Sequence, residues 1–172
     1  MKRVLAFDFG ASSGRAILGH FDGEKIRLEE VHRFSNDPVM LGGTFYWDVL
    51  RLFHEIKQGL LKAKQAGGFD SVGIDTWGVD FVGARADGTI DGLPRSYRDP
   101  YSFAAMDEFL GIISGDELYR LTGTQIMNIN SVFQLYAQHK EGGLDLADKI
   151  LFIPVCLESR SENKVDTPAE RI

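Results

Sequence analysis

Cysteine is almost missing: Cys156 stands alone among 172 residues. No disulfide framework forms within such a chain, and a reducing cytoplasm is the expected setting. Proline is scarce, at 5, while hydrophobic residues make up 44% and charged residues 26%, which excludes a disordered chain. No apolar run approaches the ~18 residues of a membrane span. No basic-then-apolar leader opens the chain either, since Asp8 interrupts the run from Met1 to Phe7. Positive charge is also short, with 19 Lys and Arg against 25 Asp and Glu. The net −6 argues against a broad nucleic-acid surface and leaves room for a local phosphate pocket. His54, His139 and Cys156 show no metal-ligand or nucleophile spacing, so structural roles are expected of them.

Glycine is plentiful, with 19, so tight turns and close backbone approaches are expected. Val4–Phe9 reads as a central strand, Arg15–Phe21 as a second and Ile26–Phe34 as a third. Asp22-Gly23 signals a type I′ hairpin, and the alternation slips near Glu29-Glu30, which suggests a bulge. A loop with Gly42-Gly43 leads to a helix from about Trp47 to Ala66, whose stripe is Val49, Phe53, Ile56 and Leu60, widened by Leu50, Leu52 and Leu61. Gly67-Gly68 stops it. Buried strands over Ser71–Thr76 and Val79–Ala86 follow, then a turn at Asp87-Gly88. Short helices are expected over Phe103–Ile113, Asp116–Leu121 and Ser131–Lys140, the last with a face of Val132, Leu135, Tyr136 and His139. Lys149–Ile153 reads as a strand ended by Pro154, after which the chain turns polar and loses periodicity. The pattern argues a mixed α/β sheet.

Three segments carry candidate chemistry. In Asp8-Phe9-Gly10-Ala11-Ser12-Ser13-Gly14-Arg15 an acid ends a strand and a small-residue turn follows. Backbone amides, Ser hydroxyls and Arg15 suit a phosphate, and Asp8 suits Mg²⁺ directly or through its waters. The glycine spacing is neither Walker nor Rossmann, and the segment reads equally as a tight hairpin. In Asp75-Thr76-Trp77-Gly78-Val79-Asp80-Phe81 two acids flank a Trp-Gly turn. An aromatic face beside hydrogen-bonding groups suits a sugar, though by itself it also reads as a capped turn with Trp77 in the core. Arg98 and Asp99, after Tyr97, form a charged donor–acceptor pair for hydroxyls or a surface ion pair. Gln125, Asn128, Asn130 and Gln134 form a polar cluster that fits helix capping or solvent.

These segments, with Leu93-Pro94, Thr122-Gly123-Thr124-Gln125 and Asn130 before Gln134-Leu135, stand in the order found in the FGGY carbohydrate kinases, which the chain resembles from residue 1 to about 154. The resemblance implies an actin-like, ribonuclease-H-like α/β fold with a mixed sheet, here the truncated N-terminal domain of a two-domain sugar kinase. It implies ATP and Mg²⁺ as cofactors, and the Asp75–Phe81 turn is most similar to that of members acting on L-rhamnulose at its 1-hydroxyl. Ala11, Ser12, Ser13, Gly14 and Arg15 would hold ATP phosphates with Asp8 near the metal. Gly78 would contact the sugar, and Trp77, Asp80, Tyr97, Arg98 and Asp99 would shape its pocket.

The family's catalytic aspartate and its second domain have no counterpart here. Residues 155–172 look unrelated and are expected to be a poorly ordered tail, as from a frameshift or premature end. An inactive fragment is the expectation, with self-association through exposed core surface. A non-catalytic sugar- or nucleotide-binding module is the main alternative. A nuclease using Asp8, Asp75 and Asp80 for two metals is the weaker one.

Overall fold

The computed structural model describes residues 2–162. The chain divides into two units, one built from residues 1–39, 48–78 and 153 onward, the other from 40–47 and 79–152.

The first unit is built on β1 (Lys2–Phe9), β2 (Ser13–Phe21), β3 (Ile26–Ser35) and β6 (Ser71–Thr76), in the order β3-β2-β1-β6. The first three strands run antiparallel and β6 lies parallel to β1, so the sheet is mixed. Alternation along β1 buries Leu5, Phe7 and Phe9 on one face. The helix α1 (Val49–Gln65) covers that face, capped by the Asp48 carboxylate, which accepts from Arg51 N at 3.0 Å. Its buried stripe is Val49, Leu52, Ile56, Gly59 and Ala63. The expected Leu50 and Leu61 face out, and Phe53 and Leu60 are only half-buried. A Cβ on Gly59 would lie 2.5 Å from the Phe7 ring and 2.9 Å from Ala16 Cβ, so glycine is what lets α1 approach this closely.

The bulge falls at Val31, where the register moves from Ala16↔His32 to Ile17↔Glu30. Asp22-Gly23 is not a type I′ turn, since Asp22 has no positive φ. Instead the Asp22 carboxylate accepts from the Glu24 and Lys25 backbone N–H groups, closing a four-residue loop. β6 was expected to be buried, yet it is an edge strand with one neighbour, and its Val72 is exposed.

β4 (Val39–Leu41), which enters the second unit at Met40, and β5 (Thr44–Tyr46) form a hairpin absent from the sequence expectation. Its Gly42-Gly43 corner has the two positive φ values of a type I′ turn. β7 (Phe81–Ala84) is buried at every position between β8 (Ile90–Asp91) and β9 (Lys149–Phe152), antiparallel to both. Three helices follow the expected positions: α2 (Ser102–Leu110), α3 (Gly115–Thr122) and α4 (Ser131–Lys140). α3 begins at Ser114, which accepts from Glu117 N, and ends at Gly123 in the left-handed region. α4 buries Phe133, Gln134 and Ala137, not the expected Val132, Leu135, Tyr136 and His139. Phe133 and Tyr136 both meet the Phe109 ring of α2 edge-on.

Pro154 does not end the ordered chain. It lies in the first turn of α5 (Ile153–Glu162), where a missing N–H costs nothing. Ile153, Cys156 and Leu157 are buried, and α5 packs against β6 and α1. The expected disorder of residues 163–172 lies outside the described residues. Among those described, no helix is long and apolar enough to cross a membrane.

Candidate active site

Parallel pairing of β1 with β6 places Asp8 opposite Asp75 and Phe9 opposite Thr76. Two carboxylates therefore stand side by side at the ends of adjacent strands, one before Gly10–Ser12 and the other before Trp77-Gly78. Asp8 is also the ladder partner of Arg15 on β2. The Asp8 carboxylate lies 3.9 Å from Arg15 Nε, and the two side chains are 49% and 39% exposed, so both remain open to a ligand. Arg15 Nε is buried without a hydrogen bond, as is Thr76 Oγ1. Two neighbouring carboxylates supply hard oxygen donors that fit Mg²⁺, which takes one or two carboxylates and completes its shell with water and phosphate oxygens. Among the described residues no three His, Cys, Asp or Glu side chains converge.

The loop after Asp8 is tightly tied. Gly10 N donates to Ser13 O at 3.0 Å. Asn36, buried just past β3, donates from its backbone N to Ser12 O at 3.0 Å and from Nδ2 to Gly10 O at 2.7 Å. Gly14 has a packing reason to be glycine: a Cβ there would meet the Phe34 ring at 2.1 Å. Ser12 is exposed at the tip, and Gly78 is exposed after the half-buried Trp77.

In the second unit Asp80 is wholly buried. Trp47 Nε1 donates to its Oδ2 at 2.5 Å and Gln134 Nε2 to its Oδ1 at 3.0 Å. Gln134, also wholly buried, donates to the Ile129 carbonyl at 2.9 Å as well, while Ser131 Oγ donates to Val79 O at 2.8 Å. Tyr101 OH donates to Gln134 Oε1 at 2.7 Å and accepts from Gln138 Nε2 at 2.9 Å. Burial pushes the Tyr101 phenol well above its ordinary range, with the Asp80 charge adding to the effect, so it stays a donor. Trp47, expected in the helix, is instead buried beside this carboxylate, 6.2 Å ring to ring from Tyr97. Val79 also lines a cleft of about 240 Å³ with Leu118, Ile126, Asn130 and Ser131.

The buried Asp99 carboxylate accepts from Phe45 N at 2.8 Å and Tyr101 N at 3.1 Å, so it stitches its loop to the hairpin. The exposed Arg98 guanidinium lies over the Tyr97 ring at 6.0 Å. Neither Asn36 nor Trp47 was singled out from the sequence. The signal for Trp47 is faint (a tryptophan one residue before a capping Asp), and for Asn36 there is none beyond a loop asparagine.

No protein-family model matches the chain. Rhamnulokinase of Bacteroides thetaiotaomicron is 44% identical over 169 residues, covering 96% of this chain and 35% of that protein. Rhamnulokinase of Ligilactobacillus salivarius is 40% identical over 155 residues, covering 90% and 32%. The chain thus spans about a third of the length of the curated relatives it matches. Among solved structures, xylulose kinase from Rhodospirillum rubrum superposes with a TM-score of 0.77 at 12% identity, over 92% of this chain and 34% of that one. Gluconate kinase from Lactobacillus acidophilus gives 0.74 at 14%, over 87% and 31%. The fold is the actin-like, ribonuclease-H-like α/β fold of these sugar kinases, and the sequence resembles the FGGY-type carbohydrate kinases. Within that class its sequence matches the N-terminal part of rhamnulokinases.

Proposed function

We propose that this chain carries the ATP-phosphate loop and the sugar-facing turn of a kinase that moves a phosphoryl group from Mg-ATP to the 1-hydroxyl of L-rhamnulose. The observation behind this reading is the in-register pair Asp8 and Asp75, each leading into one of the two turns. Asp8 stands near Mg²⁺, and Ala11, Ser12, Ser13, Gly14 and Arg15 hold the phosphates. Gly78 touches the sugar. Trp77 offers the sugar an aromatic face, and Asp80, Tyr97, Arg98 and Asp99 take part in its recognition. The work is done in a reducing cytoplasm, where Cys156 stays a thiol. The kinase-domain part, placed over residues 1–154, extends into α5, whose Ile153, Cys156 and Leu157 are buried.

Phosphoryl transfer depends on alignment and charge neutralisation more than on covalent chemistry. Mg²⁺, when bound, neutralises the developing charge. A general base is typically worth 10²–10⁴-fold in such a reaction, and a closing cleft supplies positioning. The test is ADP release from folded chain with Mg-ATP, with and without L-rhamnulose. Saturable ligand binding without sugar-dependent release supports this reading. Sugar-dependent release overturns the inactive part of it and points to Asp75 as base, since Asp80, the other suspect, is wholly buried.

A second reading is a sugar- or nucleotide-binding module without catalysis. It predicts binding with no release even when the remaining two thirds of a rhamnulokinase is supplied in trans.

A further inference from the structure

We propose that Asn36 is the positioning residue of the phosphate loop, an inference that rests on the phosphate reading above. Its two hydrogen bonds take hold of the loop from one side: Nδ2 to the Gly10 carbonyl at 2.7 Å and backbone N to the Ser12 carbonyl at 3.0 Å. A peptide unit is planar and trans, so its N–H points opposite to its C=O. Fixing the Gly10 and Ser12 carbonyls toward Asn36 therefore fixes the Ala11 and Ser13 N–H groups away from it. Carbonyl oxygens carry partial negative charge and repel a polyphosphate, whereas N–H groups attract it. The loop's signs are thus sorted by one side chain and its own backbone.

Several features make this hold firm. Asn36 is only 4% exposed, so its amide has little freedom to turn outward. It follows Ser35, which pairs with Ser13 at the end of the β2–β3 ladder, so the sheet itself delivers it to the loop. The Gly10 N to Ser13 O bond closes the loop from the other side. Asn36 touches no phosphate in this arrangement; it acts through Gly10 and Ser12.

The experiment uses the full 172-residue chain. Asn36→Ala removes the Nδ2 donor and keeps the backbone bond. Asn36→Asp keeps the shape and turns the donor into an acceptor facing Gly10 O. The first readout needs no ligand: ¹⁵N–¹H shifts and hydrogen exchange of Ala11 and Ser13, compared with Leu5 and Leu18 in the sheet. The second is the dissociation constant for Mg-ATP, with L-rhamnulose as the control ligand.

The expected result is altered Ala11 and Ser13 amides over an unchanged sheet, and a loss of Mg-ATP affinity of tenfold or more, larger for Asp than for Ala. L-rhamnulose binding stays as it was. Unchanged Ala11 and Ser13 amides, or unchanged Mg-ATP affinity in both variants, overturns the role of Asn36 and leaves the site reading intact. No Mg-ATP binding by the wild-type chain overturns the phosphate reading itself, and this proposal with it. A uniform loss of sheet protection in both variants identifies Asn36 as a fold residue and not a positioning one.

Discussion

Asp80 shows what a single side chain decides here. A buried carboxylate is costly unless its oxygens are satisfied, and Trp47 and Gln134 each supply a donor. Gln134 can aim its amide nitrogen at Asp80 only if its oxygen is satisfied elsewhere, which Tyr101 OH does. Tyr101 must therefore stay protonated. Its phenol is raised above 10.0 in the folded chain, so its contribution to stability is whole below pH 10.0 and is lost as pH climbs through the raised value. Alkaline titration followed near 295 nm should show one of the five tyrosines ionising last, together with unfolding. Tyr101→Phe should abolish that coupling while weakening the chain by about 1–3 kcal/mol, because the Gln134 oxygen is left unpaired. A late phenol that persists in the variant would contradict the assignment. The sequence showed Asp80 and Gln134 as candidates but not the bond between them. A glutamine at position 134 reads as solvent-facing until the partner, 54 residues away, is known.

At the scale of elements, turn and periodicity signals located most strands and helices, while faces and edges escaped. The bulge slip near Glu29 landed within two residues of Val31. The type I′ signal was given to Asp22-Gly23, although Gly42-Gly43 is the pair that adopts it. The reason is chemical: Asp22 prefers to satisfy its carboxylate locally. The face of α1 was misjudged because its closest approach uses Gly59 and Ala63, residues that hydrophobic periodicity ranks low. That yields a sign test. In a helix, Gly→Ala ordinarily stabilises by about 0.8–1 kcal/mol. At Gly59 the new methyl meets Phe7 and Ala16 well inside contact distance, and overpacking costs about 1–3 kcal/mol. Gly59→Ala should destabilise the chain in a urea melt, and adding Phe7→Leu should restore part of the loss. A stabilised Gly59→Ala would show that α1 stands further from the sheet.

At the scale of the molecule, helix α1 covers one face of the first unit's sheet. On the other, Val4, Gly19 and Leu28 form a row across β1, β2 and β3, with Phe21 and Ile26 paired beside it. Val4, Ile26 and Leu28 are exposed, and Ile26 and Leu28 are 60% and 67% open. Apolar surface of this kind drives association when nothing else covers it. Sedimentation equilibrium should show the average mass rising with concentration, and Ile26→Lys with Leu28→Lys should suppress the rise. A single species at every concentration would sink this expectation. Self-association through exposed core surface is expected from the sequence, but strand alternation hides which face carries it.

The first unit is not continuous in sequence: β6 ends at Thr76, and α5, which packs on β6 and α1, begins at Ile153. All of β7–β9 and α2–α4 intervenes. During synthesis at about 5–20 residues per second, those roughly 75 residues take about 4–15 s to emerge. For that interval β6 and α1 exist without the helix that packs on them. The nascent chain then has a window in which a chaperone, or the matching segment of a neighbour on the same message, competes for the place of α5. Translation speed thereby enters the yield of folded protein.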